Sequence, residues 1–116
     1  MQGNIQLILA VVNRGFADEA MDAAREAGAA GGTIIHAKGT GDGDDTKFYG
    51  ITIQHEKEML IILTSACDRK AIMQAVSTRV GIHTPGQGIV FSLPVSSAVG
   101  LMGEYDCEEE DASQNP

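Results

Sequence analysis

The residues best placed to do chemistry lie in residues 81–95, where Gly-Ile-His-Thr-Pro-Gly-Gln-Gly runs directly into Ile-Val-Phe-Ser-Leu-Pro-Val. Pro85 fixes one φ of a turn and Gly86 frees the next, while Gly86 and Gly88 leave the amides around Gln87 uncovered by any Cβ. Such a backbone can approach a ligand and offer N–H donors to an anion or a nucleotide edge, with His83 and Thr84 beside it. The same glycines serve a plain connecting turn equally well, and a lone Gly-x-Gly does not choose between the two uses. A second glycine-bracketed stretch, Lys38-Gly39-Thr40-Gly41-Asp42-Gly43-Asp44-Asp45, holds no apolar residue and reads as an exposed loop.

Other reactive groups are sparse. His36, His55 and His83 are neither spaced for one helix face nor paired with a second ligand in a recognised pattern, so no metal site is expected. Asp42, Asp44 and Asp45 have the composition of a calcium loop without its ligand spacing or terminal Glu, and read as solvated acids. His36 sits in a β-favouring run and is expected in a cleft or interface, whereas His55 and His83 suit turns, His83 with access to the same cleft as Gly86-Gln87-Gly88. There is no nucleophile elbow, Walker loop or Ser/His/Asp ordering, and Ser65 is better used as a helix cap than as a nucleophile. No enzyme activity is expected. Cys67 and Cys107 fit neither a disulfide framework nor a CxxC motif, so two free thiols in a reducing cytoplasm are the expectation.

The chain of 116 residues is sized for one domain, and its net charge of -8 with eight scattered Lys and Arg argues against nucleic-acid binding. No apolar run approaches the ~20 residues needed to span a bilayer, nor does a basic-then-apolar leader open the chain, so a soluble cytoplasmic protein without membrane insertion is expected.

The elements that must hold these loops follow from periodicity. Residues 5–12 form an apolar run broken only by Gln6, which suits a strand covered on both faces. Phe16, Ala20, Met21, Ala24 and Ala27 recur at helical spacing opposite Asp18, Glu19, Asp22, Arg25 and Glu26, and Gly28 closes that helix. Residues 33–37 form a second strand. Residues 48–54 and 59–63 predict a hairpin turning at His55-Glu56-Lys57. Ser65 with Asp68 predicts a capping box for a helix whose stripe is Ile72, Met73, Val76 and Val80, ended by a left-handed Gly81. Residues 89–93 form the last strand, and residues 104–116 make an acidic, disordered tail after a domain over residues 1–103.

The order βαββαβ is the ferredoxin-like arrangement, an α+β fold with a four-stranded antiparallel sheet and both helices on one face. Strands one and two carry apolar residues at both parities, so the open face is expected to be covered by oligomerisation.

This layout, with Gly39-Thr40-Gly41 after the second strand and Gly86-Gln87-Gly88 before Ile89-Val90-Phe91, resembles the P-II nitrogen-regulatory signalling family. The resemblance implies a homotrimer with its sheets facing one another and no required cofactor. It also implies an adenine nucleotide effector held between subunits by the two glycine loops, and control of a partner protein, a transporter or enzyme, by docking. Carried onto this chain, the ligand-binding residues are Lys38, Gly39, Thr40, Gly41, Lys57, His83, Thr84, Gly86, Gln87 and Gly88, and the partner-contacting loop includes Asp42, Gly43, Asp44 and Asp45. The chain departs from the family where Asp42, Ile89, Gly100 and Met102 replace basic residues, and where the first loop is short, with Tyr49 assigned to the following strand. Each lost cation removes a charge-assisted contact to phosphate worth about 1.5–3 kcal/mol, so a ligand less charged than ATP is expected. The alternative is a cation-binding or cation-tolerance trimer on the same scaffold.

Overall fold

Apolar residues at both parities belong at the centre of a sheet, and β1 (Ile5–Asn13) lies there. In the computed structural model, which describes residues 5–40, 46–48, 51–53 and 55–101, β1 is followed by α1 (Ala17–Glu26), β2 (Thr33–Gly39), β3 (Thr46–Phe48), β4 (Ile51–Ile53), β5 (His55–Ser65), α2 (Ala66–Val80) and β6 (Ile89–Pro94). The main sheet has the order β2-β5-β1-β6 with every neighbouring pair antiparallel. With its two helices this is the expected ferredoxin-like fold.

One face of β1 and β5 presents Ile8, Ala10, Val12, Leu60 and Ile62 to the helices. Ala17, Ala20, Met21 and Ala24 of α1 and Ile72, Val76 and Val80 of α2 close over them. Small alanines on α1 let that helix come close to the sheet, while the branched residues of α2 fill the volume. The opposite parity forms the other face. There the register sets Leu9 between Ile61 and Phe91, Leu7 between Leu63 and Leu93, and Val11 between Met59 and Ile89. Ile35 adjoins Met59 across the β2–β5 pair. Among the described residues nothing covers Phe91 (41% exposed), Leu93 (46%) or Ile89 (59%), so an apolar sheet face stands open.

Three expectations are corrected. The hairpin of residues 48–54 with 59–63 does not form. His55, Glu56 and Lys57 are not its turn but the first residues of β5, paired with Gly39, Lys38 and Ala37 of β2. Thr46–Phe48 and Ile51–Ile53 instead pair with each other as a separate two-stranded ribbon inserted between β2 and β5. The segment between β2 and β5 is therefore longer than the short loop of residues 38–45, and Tyr49, assigned from sequence to the strand after that loop, lies outside the described residues.

Gly81 is not left-handed, having φ -72°. A Cβ there would overlap the Ser77 carbonyl oxygen, so close packing at the helix end requires the glycine. Ser65 does stand at the N-cap of α2, but its hydroxyl makes no capping bond to the backbone. It lies 3.4 Å from Asp68 Oδ2 instead.

Candidate ligand site at the sheet end

The end of β1, the end of β2 and the start of β5 meet at one end of the sheet, where Asn13 and Ala37 both pair with Lys57 and Lys38 pairs with Glu56. Arg14, His36, Ala37, Lys38, Glu56 and Lys57 line a cleft of about 420 Å³ there. Three of the chain's eight basic residues thus face a single lining carboxylate, in a chain whose net charge is -8. Such a local excess of positive charge attracts anions.

The cations are held lightly. Arg14 Nη1 donates to Glu56 Oε1 at 2.8 Å, but both side chains are largely exposed (67% and 60%), and such surface pairs contribute ~1 kcal/mol or less. The guanidinium can turn to a ligand at small cost. Lys57 Nζ donates to Asn13 Oδ1 at 2.8 Å, and Asn13 in turn donates from Nδ2 to Pro85 O (2.9 Å) and from its amide to Gly86 O (2.8 Å). Asn13 therefore ties the cleft to the loop joining α2 to β6.

That loop is built for packing. Gly86 and Gly88 are buried, and a Cβ on Gly88 would lie 2.5 Å from Val80 O and 2.9 Å from Val12 Cγ1. Its amides are already engaged: Gly86 N–H donates to Thr84 Oγ1 (3.2 Å), Gln87 N–H to Thr84 O (2.9 Å) and Gly88 N–H to Val80 O (2.7 Å). The amides expected to face an anion have internal partners. Gln87 adopts φ 48°, a left-handed conformation costing a non-glycine residue ~1–2 kcal/mol. Strain of that kind is held by its surroundings and is often found at functional turns.

Glu58 supports the site from below. Its Oε1 accepts the Ala17 amide at 2.9 Å, capping α1 from a neighbouring strand, because Phe16 at the N-cap has no acceptor to offer. Its other oxygen lies 3.8 Å from His36 Nδ1.

Of the residues picked from sequence, Lys38 and Lys57 line the cleft, His36 joins them, and Gly39 and Thr40 follow directly at the end of β2. Thr84, Gly86 and Gly88 belong to the loop that Asn13 anchors, while His83 and Gln87 are exposed on it and do not line the cleft. Gly41, Asp42, Gly43, Asp44 and Asp45 lie outside the described residues. Sequence reasoning missed Arg14 and Glu56. In sequence, Asn13-Arg14-Gly15 reads only as punctuation between a strand and a helix, and only the length of β5 reveals that Glu56 stands opposite.

Cys67, expected as a free thiol, is disulfide-bonded, and Cys107 lies outside the described residues. Among the described residues no group of three or more His, Cys, Asp or Glu converges to hold a metal ion, and no helix is long and apolar enough to cross a membrane.

The model of the family described as nitrogen regulatory protein P-II matches residues 5–104. Among solved structures, the complex of B. subtilis GlnK with ATP superposes with a TM-score of 0.62 at 16% identity, over 81% of this chain and 85% of that one. At that identity the likeness is one of fold. No curated protein matches the chain in sequence.

Proposed function

Because the chain belongs to the nitrogen regulatory protein P-II family, whose members are regulatory signalling proteins and not enzymes, we propose that it acts as a homotrimer sensing an adenine nucleotide at the sheet end and relaying its occupancy to a protein partner. The observation that carries this reading is the convergence of Arg14, Lys38 and Lys57 on one cleft of an acidic chain. Packing the open faces of three sheets together would bring neighbouring subunits against these clefts and complete them. The GlnK complex with ATP supports the nucleotide, since that protein of the same fold binds it.

The ligand differs in charge from ATP. Asp42, Ile89, Gly100 and Met102 stand where the family resemblance calls for cations, and the cleft supplies three of its own, one of them paired with Glu56. A monophosphate matches that balance. Calorimetry is expected to find AMP bound at least as tightly as ATP, and Lys57→Ala to weaken AMP roughly 10- to 100-fold, as the loss of one charge-assisted bond does. Magnesium-dependent ATP binding far tighter than AMP would reject this reading.

The signal passes through the segment between β2 and β5. Lys57 links to residues 85–86 through Asn13, and β5 continues directly from the ribbon strands, so an anion that draws Lys57 away from Asn13 pulls on both. The acids Asp42, Asp44 and Asp45 in that segment suit a partner surface rich in Lys and Arg, which the cytoplasmic loops of membrane transporters carry. A pull-down from membranes with all three changed to Asn is expected to lose the partner. Equal recovery by wild type and variant, at low and high salt alike, would assign recognition elsewhere.

A further inference from the structure

A second cleft, of about 470 Å³, lies between α2 and the edge strand β6 and is lined by Arg69, Lys70, Met73, Gln74, Ser77 and Val90. It contains two cations and no carboxylate. Arg69 Nε is buried with no hydrogen-bond partner among the described residues, a donor removed from water without compensation. Cys67, Lys70, Gln74 and Ser77 are spaced i, i+3, i+7 and i+10, so one exposed stripe of α2 runs from the cysteine along the cleft.

Cys67 is disulfide-bonded. The sequence contains one other cysteine, Cys107, inside Glu104-Tyr105-Asp106-Cys107-Glu108-Glu109-Glu110-Asp111, a stretch whose every residue except Tyr105 and Cys107 is acidic. We propose that Cys67 and Cys107 of one chain are joined and that the acidic segment of residues 104–111 docks in this cleft, its carboxylates on Arg69 and Lys70. The surface is thus an intramolecular docking site for the chain's own tail, tethered at the head of the helix stripe it follows.

The geometry allows it. Val95 N–H donates to Ile5 O (3.1 Å) as the chain leaves β6, and Ser65, immediately before α2, pairs with Ile5 from the other side. The two chain ends therefore flank the same residue, about 10 Å apart by the spacing of neighbouring strands. The segment from Val95 to Cys107 can extend roughly 40 Å, at ~3.3 Å per residue, so it reaches Cys67 with length to spare. Charge sets the direction of docking: carboxylates flanking the tether on both sides meet the basic residues that follow Cys67 on α2. Held by a covalent link, the segment experiences a high effective concentration at the cleft, so even weak ion pairs form there.

Two measurements on the full-length protein test the inference. Peptide mapping without reduction is expected to find Cys67 linked to Cys107, with a single-chain band on a non-reducing gel. A chain-to-chain link would overturn the proposal. The second measurement equilibrates the protein with glutathione, two glutathione thiols being oxidised for each protein disulfide reduced to two thiols. If the acids grip the cleft, Glu108→Gln, Glu109→Gln and Glu110→Gln together are expected to make the disulfide about tenfold easier to reduce at low salt. In wild type, 1 M salt is expected to have the same effect, since it shortens the screening length to ~3 Å. Lys70 in the oxidised wild type is expected to acetylate several-fold more slowly than in the substituted protein. A disulfide equilibrium and a Lys70 reactivity both indifferent to substitution and to salt would show a tether without docking, and the proposal would fall. The substitutions lie in the tail, outside every packed element of the described fold, so loss of folding does not confuse the result.

Discussion

Phe91→Asp is expected to turn the native oligomer into a folded monomer. Phe91 sits mid-strand on the open face, opposite Leu9, and is 41% exposed in the isolated chain, so the substitution removes little that the monomer buries. In an assembly packed through this face each phenylalanine would contribute about 1.5–3 kcal/mol of apolar burial. Three carboxylates would take its place, each losing several kcal/mol of hydration without a partner. The penalty is repeated in every subunit. Light scattering at low micromolar concentration should find a trimer for wild type and a monomer for the variant, with unchanged far-ultraviolet dichroism. A monodisperse wild-type monomer, or a variant that stays trimeric, would refute assembly through this face.

Gly88→Ala should be strongly destabilising, and more so than Gly86→Ala, whose new Cβ would come no nearer than 3.0 Å to its neighbours. The new Cβ would stand 2.5 Å from the Val80 carbonyl oxygen and 2.9 Å from Val12 Cγ1, and backbone cannot swing aside as a side-chain tip can. The Gly88 amide also donates to that same Val80 oxygen at 2.7 Å, so relieving the overlap breaks the bond that ties the loop to the end of α2. Overpacking together with a lost buried bond costs about 3 kcal/mol or more. For a domain near this size that lowers Tm by more than ~10 °C. Gly31→Ala is the control, because nothing lies within 4 Å of its Cβ position. A Gly88→Ala protein that keeps its Tm but loses nucleotide binding would show that the glycine serves the ligand and not the packing.

The two expectations that failed most clearly did so for different physical reasons. Residues 55–57 are His-Glu-Lys, and a run of polar residues between apolar segments reads as a turn because hydrophobic periodicity carries no signal there. They are strand nonetheless, since they pair with Ala37, Lys38 and Gly39 of β2 while Glu56 and Lys57 line a cleft. A strand that serves a site need not look like a strand. Gly81 failed in the opposite sense: its residue type was read as conformational freedom, whereas the contact with Ser77 makes it a matter of space. Cys67 misled because spacing in sequence says nothing of a fold in which Ser65, just before α2, and Val95, just after β6, both meet Ile5.

By itself, the sequence determined the order of the main elements, the apolar stripe of each helix and the need to cover a second sheet face. These are local properties, written in periodicities of two and 3.6 residues that survive without knowledge of partners. It also marked Lys38 and Lys57 as ligand residues through their family resemblance. Only the tertiary structure decided which strands pair, that Arg14 and Glu56 join those lysines, that Asn13 links them to the glycine loop, and that Glu58 caps a helix from across the sheet. The bonds of Arg14 to Glu56, Lys57 to Asn13, Asn13 to Pro85 and Ala17 to Glu58 each join residues more than forty positions apart, and such contacts exist only once the register of β1 against β5 and the path from α2 to β6 are set. Register is a collective outcome of packing one whole face of a sheet, so no single residue announces it.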